Sequence, residues 1–140
     1  MSAAHTERLY FHLQLAAGRL RAEADRACLD AAGVTTAQAA ALAVVAGRPG
    51  TTQKEVARAL HQAESAVTTL VRRLLAADLV TRTPSAADGR AWALDLTPTG
   101  RRALAQVEVA FGAVNDRIDA VLDPDEVASL AARLRLLAGT

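Results

Sequence analysis

Lysine is almost missing from this 140-residue chain, where Lys54 stands alone beside fifteen arginines. Cysteine is as scarce, with Cys28 the only one. That excludes an intrachain disulfide and suits a reducing cytoplasm. Aromatics come to 3% of the chain and reduce to Tyr10, Phe11, Trp92 and Phe111. Apolar runs never reach the length that spans a bilayer, and His5, Glu7 and Arg8 precede the first of them, unlike a signal peptide. A soluble, cytoplasmic protein with no membrane partner is expected. Catalytic patterns are missing as well. Ser65 and His61 lie close in sequence, yet no orienting acid or oxyanion loop accompanies them, and no phosphate-cradling glycine loop occurs. His5 and His12 are two helical turns apart with no third ligand beside them. They and His61 read as solvated or capping histidines, not metal ligands. No enzyme activity, no cofactor and no metal is expected.

What is present is alanine, arginine and aliphatic side chains. Apolar residues make up 51% and charged residues 22%, a balance that supports a packed core. The length fits one domain, residues 1–140. Alanine and arginine both favour helix. Net charge is only +1, but it is unevenly spread. From Arg48 to Arg102 nine basic residues face five acids (Glu55, Glu64, Asp78, Asp88 and Asp95), a balance of +4, while the remainder carries seven against ten, or −3. A basic middle between acidic ends fits a nucleic-acid-reading lobe carried on a frame that does not touch nucleic acid.

Periodicity divides the chain into helices and one hairpin. Leu9, Leu13, Ala16, Leu20, Ala24 and Ala27 recur at helical steps, so a first helix is expected from about Thr6 to Ala31, with Gly33 as its stop. A second helix starts near Thr36 and is broken by Gly47, Pro49 and Gly50. Thr52-Gln53-Lys54-Glu55 has the pattern of a capping box and opens a short helix to about Leu60. His61 and Gln62 turn the chain into a fourth helix, whose Val67, Leu70, Val71, Leu74 and Leu75 trace one apolar face. Leu79–Arg82 and Trp92–Leu96 read as strands joined by a loop with an Asp88-Gly89 turn signal. Thr97-Pro98 then starts a long helix to about Leu122, with Leu104, Val107, Phe111, Val114, Ile118 and Val121 inward. Gly112 inside it marks a weak point or a site of close packing. Asp123-Pro124-Asp125-Glu126 starts a last helix with stripe Val127, Leu130, Leu134 and Leu137.

Two short helices and a basic hairpin are the layout of a winged helix-turn-helix, a device for reading duplex DNA. The fourth helix turns Ser65, Thr68, Thr69, Arg72 and Arg73 away from its apolar face. Short polar side chains can approach base edges, and Arg72 can reach a phosphate or a guanine. On an isolated helix such a face would be merely solvated; the capping pattern, the tight turn and the following hairpin favour the DNA reading. At the hairpin tip Arg90 suits a narrow minor groove, and Asp88 is placed to hold its guanidinium in a bidentate pair.

The run Leu74, Leu79-Val80, Arg82, Asp88-Gly89-Arg90 and Leu96-Thr97-Pro98-Thr99-Gly100 resembles the MarR family of bacterial transcription regulators, in register over nearly the whole chain. The resemblance implies a mainly helical fold with a small β-hairpin. A winged helix-turn-helix lobe at 35–98 would sit inside an interlocking dimerisation frame built from 5–32 and 99–138. It implies a homodimer that reads a pseudo-palindromic operator, most often as a repressor. Ser65, Thr68, Thr69 and Arg72 would meet the major groove, and Asp88 and Arg90 the minor groove. It also implies release by a small effector, for which Tyr10, Phe11, Trp92 and Phe111 are candidate pocket residues for an aromatic or lipophilic molecule. Oxidant-sensing relatives carry their thiol near the start of the first helix. Cys28 lies near its end and reads as a buried structural cysteine. The alternative is a winged helix used for protein–protein assembly without specific DNA binding.

Overall fold

The structure is a computed structural model that describes the backbone from Ser2 to Thr140 and the side chains from Arg8 onward. The reading of His5 lies outside the described residues. Six helices and three short strands follow one another as α1 (Ser2–Ala32), α2 (Thr36–Gly47), β1 (Thr51–Thr52), α3 (Gln53–Ala59), α4 (Glu64–Ala76), β2 (Val80–Pro84), β3 (Trp92–Leu96), α5 (Pro98–Asp119) and α6 (Pro124–Ala138).

Element ends follow from local chemistry. Gly33 stops α1 in the left-handed region (φ 68°) and donates its N–H to Leu29 O at 2.9 Å. Thr35 and Gln38 then form a reciprocal capping box at the start of α2. One carboxylate ties these two helices together. Asp25 of α1 accepts both the Thr36 hydroxyl (2.6 Å) and the Thr36 N–H (2.8 Å). The hydroxyl, then the amide, hold the Asp25 carboxyl below its ordinary range, and Arg21 adds to the effect. A second capping box, Asp123 with Glu126, opens α6.

The expected hairpin is the larger part of a three-stranded antiparallel sheet in the order β1-β3-β2. Its third member is the two-residue β1, whose Thr51 pairs with Leu94 and Thr52 with Ala93. Two residues carry no alternation of their own, so this strand exists only by its pairing. The β2 strand is also displaced: Leu79 lies before it and Pro84 inside it. An edge strand tolerates that proline.

The core is built between α2, α3, α4 and β3, with Leu42, Val45, Val56, Val67, Val71, Leu74 and Leu94 almost wholly buried. Ala103 and Val107 of α5 and Cys28 of α1 close it from the frame side. Burial pushes the Cys28 thiol up, with the Asp25 charge adding, as suits a structural cysteine. Gly100 marks where α5 crosses the chain: a Cβ there would stand 2.0 Å from the Leu79 carbonyl oxygen. Thr97 caps α5 through the Gly100 N–H (2.9 Å) and donates its hydroxyl to Asp78 O (2.6 Å). The exit of the wing is thereby fixed against the end of α4. Gly112, in contrast, has nothing within 4 Å of a built Cβ, so it is not a close-packing site within the chain.

The outer frame is open. Within one chain α6 buries no residue, and Val121, expected inward, is 78% exposed. The helices α1 and α5 pack against each other and are tied by an Arg117–Glu23 ion pair. Even so, Leu9, Phe11 and Leu15 remain more than half exposed. No single helix among the described residues is long and apolar enough to cross a membrane.

Candidate nucleic-acid interface

Thr52 caps α3 by accepting the Glu55 N–H at 3.3 Å. Only that half of the expected capping box forms. The Glu55 carboxylate instead accepts the Thr51 hydroxyl (3.0 Å) and pairs with Arg48 at 3.6 Å. Pairing of β1 holds the Thr51 side chain beside α3, and the Glu55 carboxylate serves it rather than its own helix terminus. From α3 the chain turns through His61, a left-handed residue at φ 53°, while the Gln62 N–H closes on Ala57 O at 3.0 Å. That turn sets α4 against α3.

Helix α4 presents two faces. Val67, Leu70, Val71 and Leu74 are buried, while Ser65, Thr68, Thr69, Arg72 and Arg73 are all exposed. Thr68 donates its hydroxyl to Glu64 O at 2.9 Å, and Thr69 its own to Ser65 O at 3.5 Å. With that proton turned into the helix, each threonine offers an acceptor lone pair and a methyl group outward. Such a surface can meet the exocyclic amine of adenine or cytosine and the methyl of thymine.

The wing loop is held by its own backbone. Ser85 N–H donates to Ala91 O (2.9 Å), Ala91 N–H to Asp88 O (3.0 Å), and Asp88 N–H to Ser85 Oγ (3.3 Å). Asp88 does not pair with the Arg90 guanidinium as its position predicts. Its Oδ1 accepts the Arg90 backbone N–H at 3.0 Å, an Asx turn. Asp88 therefore shapes the tip, and the Arg90 side chain is left outside any ion pair among the described residues.

The four aromatic candidates do not share one place. Tyr10 and Phe11 stand exposed on α1, where Tyr10 Oη receives Gln14 Nε2 (2.6 Å) and Phe11 meets His12 edge-on at 5.8 Å. Phe111 on α5 packs half-buried against the core. Trp92 belongs to the wing, 45% exposed, with the Arg82 guanidinium 4.9 Å from its ring centre. It lines a cleft whose opposite wall is α3. Lys54, Arg58 and Glu64 flank that cleft on one side, and Asp88 and Arg90 on the other. The start of α4 and the tip of the wing thus border one groove. Sequence reasoning missed this role for Trp92 because helical or strand spacing does not report register; counting outward from the Asp88-Gly89 turn gives the only signal.

A helix pair set at a tight turn, followed by a basic-tipped hairpin, defines a winged helix-turn-helix protein. A MarR family model matches residues 32–91. Over 132 residues the chain is 33% identical to a candidate transcriptional regulatory protein for the hcr operon of Thauera aromatica, covering 92% of this chain and 78% of that one. Among solved structures it is similar to a transcriptional repressor, CouR, bound to a 23-mer DNA duplex, at 27% identity and a TM-score of 0.87, covering 99% of this chain and 97% of that one. It is also similar to a MarR family protein of Mycobacterium tuberculosis in complex with salicylic acid, at 28% identity and a TM-score of 0.68, covering 92% and 95%. The chain belongs to the MarR family of transcription regulators.

Proposed function

We propose that two copies of this chain form a cytoplasmic homodimer that binds a pseudo-palindromic DNA operator and represses transcription until a small effector releases it. The observation that carries the reading is the single cleft bordered by the start of α4 and the tip of the wing. A lobe of that shape can place α4 in a major groove and Arg90 in the adjoining minor groove. Ser65, Thr68 and Thr69 then face base edges, Arg72 and Arg73 reach phosphates or guanine, and Asp88 fixes the conformation from which Arg90 extends. Uncovered stripes on α1 and α6 support the dimer, since burying them against a second copy removes apolar surface from water. The lobe at 35–98 acts as reader and the helices at 5–32 and 99–138 as frame. No catalytic activity is part of this reading.

For the effector, the salicylic acid complex of the mycobacterial relative favours an aromatic acid. Tyr10, Phe11 and Phe111 on the frame helices are the candidates to meet it, while Trp92 stands apart from them on the wing. Calorimetry and thermal shift across a panel of aromatic acids test this part; absence of binding across the panel would remove it.

The function itself is tested by selecting duplexes from a random pool and titrating the winner at two salt concentrations. Selective binding that falls steeply with salt is expected, because phosphate contacts release counterions. Arg90→Ala is expected to weaken it roughly ten-fold, with folding and dimerisation intact. Weak, unselective binding would point instead to a winged helix used for protein assembly.

A further inference from the structure

The register of the wing leads to a residue pair that the α4 face and the wing tip leave out. Val80 pairs with Leu96, Arg82 with Leu94 and Pro84 with Trp92, and residues paired in an antiparallel ladder share a face. The face that closes the core with Val80 and Leu94 therefore runs outward as Arg82 and Trp92. There the Arg82 guanidinium lies 4.9 Å from the Trp92 ring centre, within reach of the ring quadrupole. A guanidinium that rests its flat face on a ring keeps its N–H edges free for an oxyanion. Arg82 joins no ion pair among the described residues. The same ring lines the cleft with Lys54, Arg58 and Arg90. Two of the carboxylates there are engaged, Glu55 by Arg48 and Thr51 and Asp88 by the Arg90 amide, leaving Glu64 as the acid without such a partner.

Duplex geometry supplies the remaining step. One sugar–phosphate strand separates the major groove from the adjoining minor groove. A lobe with α4 in one and the wing tip in the other must turn the cleft between them toward that strand. We infer that Arg82 is a phosphate clamp on the strand dividing the two grooves, and that Trp92 is the positioning residue that holds its guanidinium edge-outward. The inference rests on the DNA-reading function proposed above and adds a phosphate-binding group from the shaft of the wing.

The test uses the full-length dimer and a duplex that the wild-type protein selects from a random pool, followed by anisotropy across a salt series. Without the Arg82 charge each protomer neutralises one phosphate fewer, and the dimer two fewer. Arg82→Gln is therefore expected to weaken binding roughly ten-fold near about 0.1 M salt and to flatten the slope of log K against log salt by about 2. Trp92→Leu should reproduce most of both effects and Trp92→Phe should restore wild-type behaviour. A variant carrying both Arg82→Gln and Trp92→Leu should bind no more weakly than Arg82→Gln alone. Trp92 is the sole tryptophan, so its fluorescence should change on DNA binding. If Trp92 served folding alone, Trp92→Leu would melt earlier with an unchanged salt slope. That result would overturn the inference. So would a wild-type slope for Arg82→Gln while Arg90→Ala still weakens binding, with the DNA-reading function left standing. Failure of the wild-type protein to select any duplex would overturn both.

Discussion

The winged lobe shuts Leu42, Val56 and Val67 away from solvent, whereas α6 does not bury a single side chain. Both regions carry apolar stripes at helical spacing, and periodicity alone does not tell them apart. The difference lies in what each can pack against. The lobe has four elements that close on one another, α2, α3, α4 and β3. The frame has helices whose stripes outnumber the surfaces available within one chain. A closed lobe keeps α4 and the wing in a fixed relation, and in the proposed dimer the open frame makes the spacing of two lobes a property of the pair.

That comparison can be broken at the lobe first. Leu74 is 1% exposed at the centre of the α4 packing face, and Leu74→Ala is expected to cost about 3 kcal/mol or more through reduced burial and a cavity. Denaturant unfolding followed by circular dichroism measures it; a loss under about 1 kcal/mol would mean the lobe is not the closed unit described. The frame should respond differently. Replacing Leu130 and Leu134 together by glutamate places charge on the open stripe of α6. The dimer dissociation constant is expected to rise roughly a hundred-fold, about 2.7 kcal/mol, while the lobe keeps its fold. Sedimentation equilibrium reads the first effect and near-ultraviolet dichroism the second.

Two smaller perturbations probe the seam between the regions. Gly100→Ala would push a methyl group into the Leu79 carbonyl, and backbone cannot yield as a flexible side chain can. A loss of about 2 kcal/mol is expected, with a wing displaced from α4 and weaker DNA binding out of proportion to the change in melting. At the α1–α2 joint, Asp25→Ala removes the acceptor of the Thr36 hydroxyl and amide, an expected loss of about 1–2 kcal/mol. Its pH dependence has a definite sign. Because the folded Asp25 carboxyl is held below its ordinary 3.8, its contribution is complete above that value and is lost as pH falls through the folded pKa. Wild type and variant should therefore converge in stability at the acid end; a constant gap down to that end would contradict the assignment.

How much of this was legible in the sequence follows the same division. The α4 face was readable because a 3.6-residue period sorts Val67, Leu70, Val71 and Leu74 from Ser65, Thr68 and Arg72 without knowledge of any partner. The wing was readable because Asp88-Gly89 marks a turn between two strand patterns. Where a residue type satisfies two geometries, the sequence was silent. Glu55 could close a capping box or serve Thr51 and Arg48, and only the pairing of the two-residue β1 decides. Asp88 could hold a guanidinium or an amide, and the tight tip favours the amide. Trp92 could face the frame helices or the wing cleft, and only strand register places it beside Arg82 on the wing. Val121 was misplaced because a stripe that continues past its partner looks, in sequence, like one that does not.

In the proposed binding mode a closed lobe reads one half-site and an open frame, completed by a second copy, sets the distance to the next. A hydroxyl-radical footprint on the selected duplex, combined with the mass of the complex by light scattering, tests it most directly. Two chains per duplex and two protected patches about ten base pairs apart, centre to centre, are the expected result. One chain on a single protected patch, bound as tightly as the wild-type complex, would contradict it.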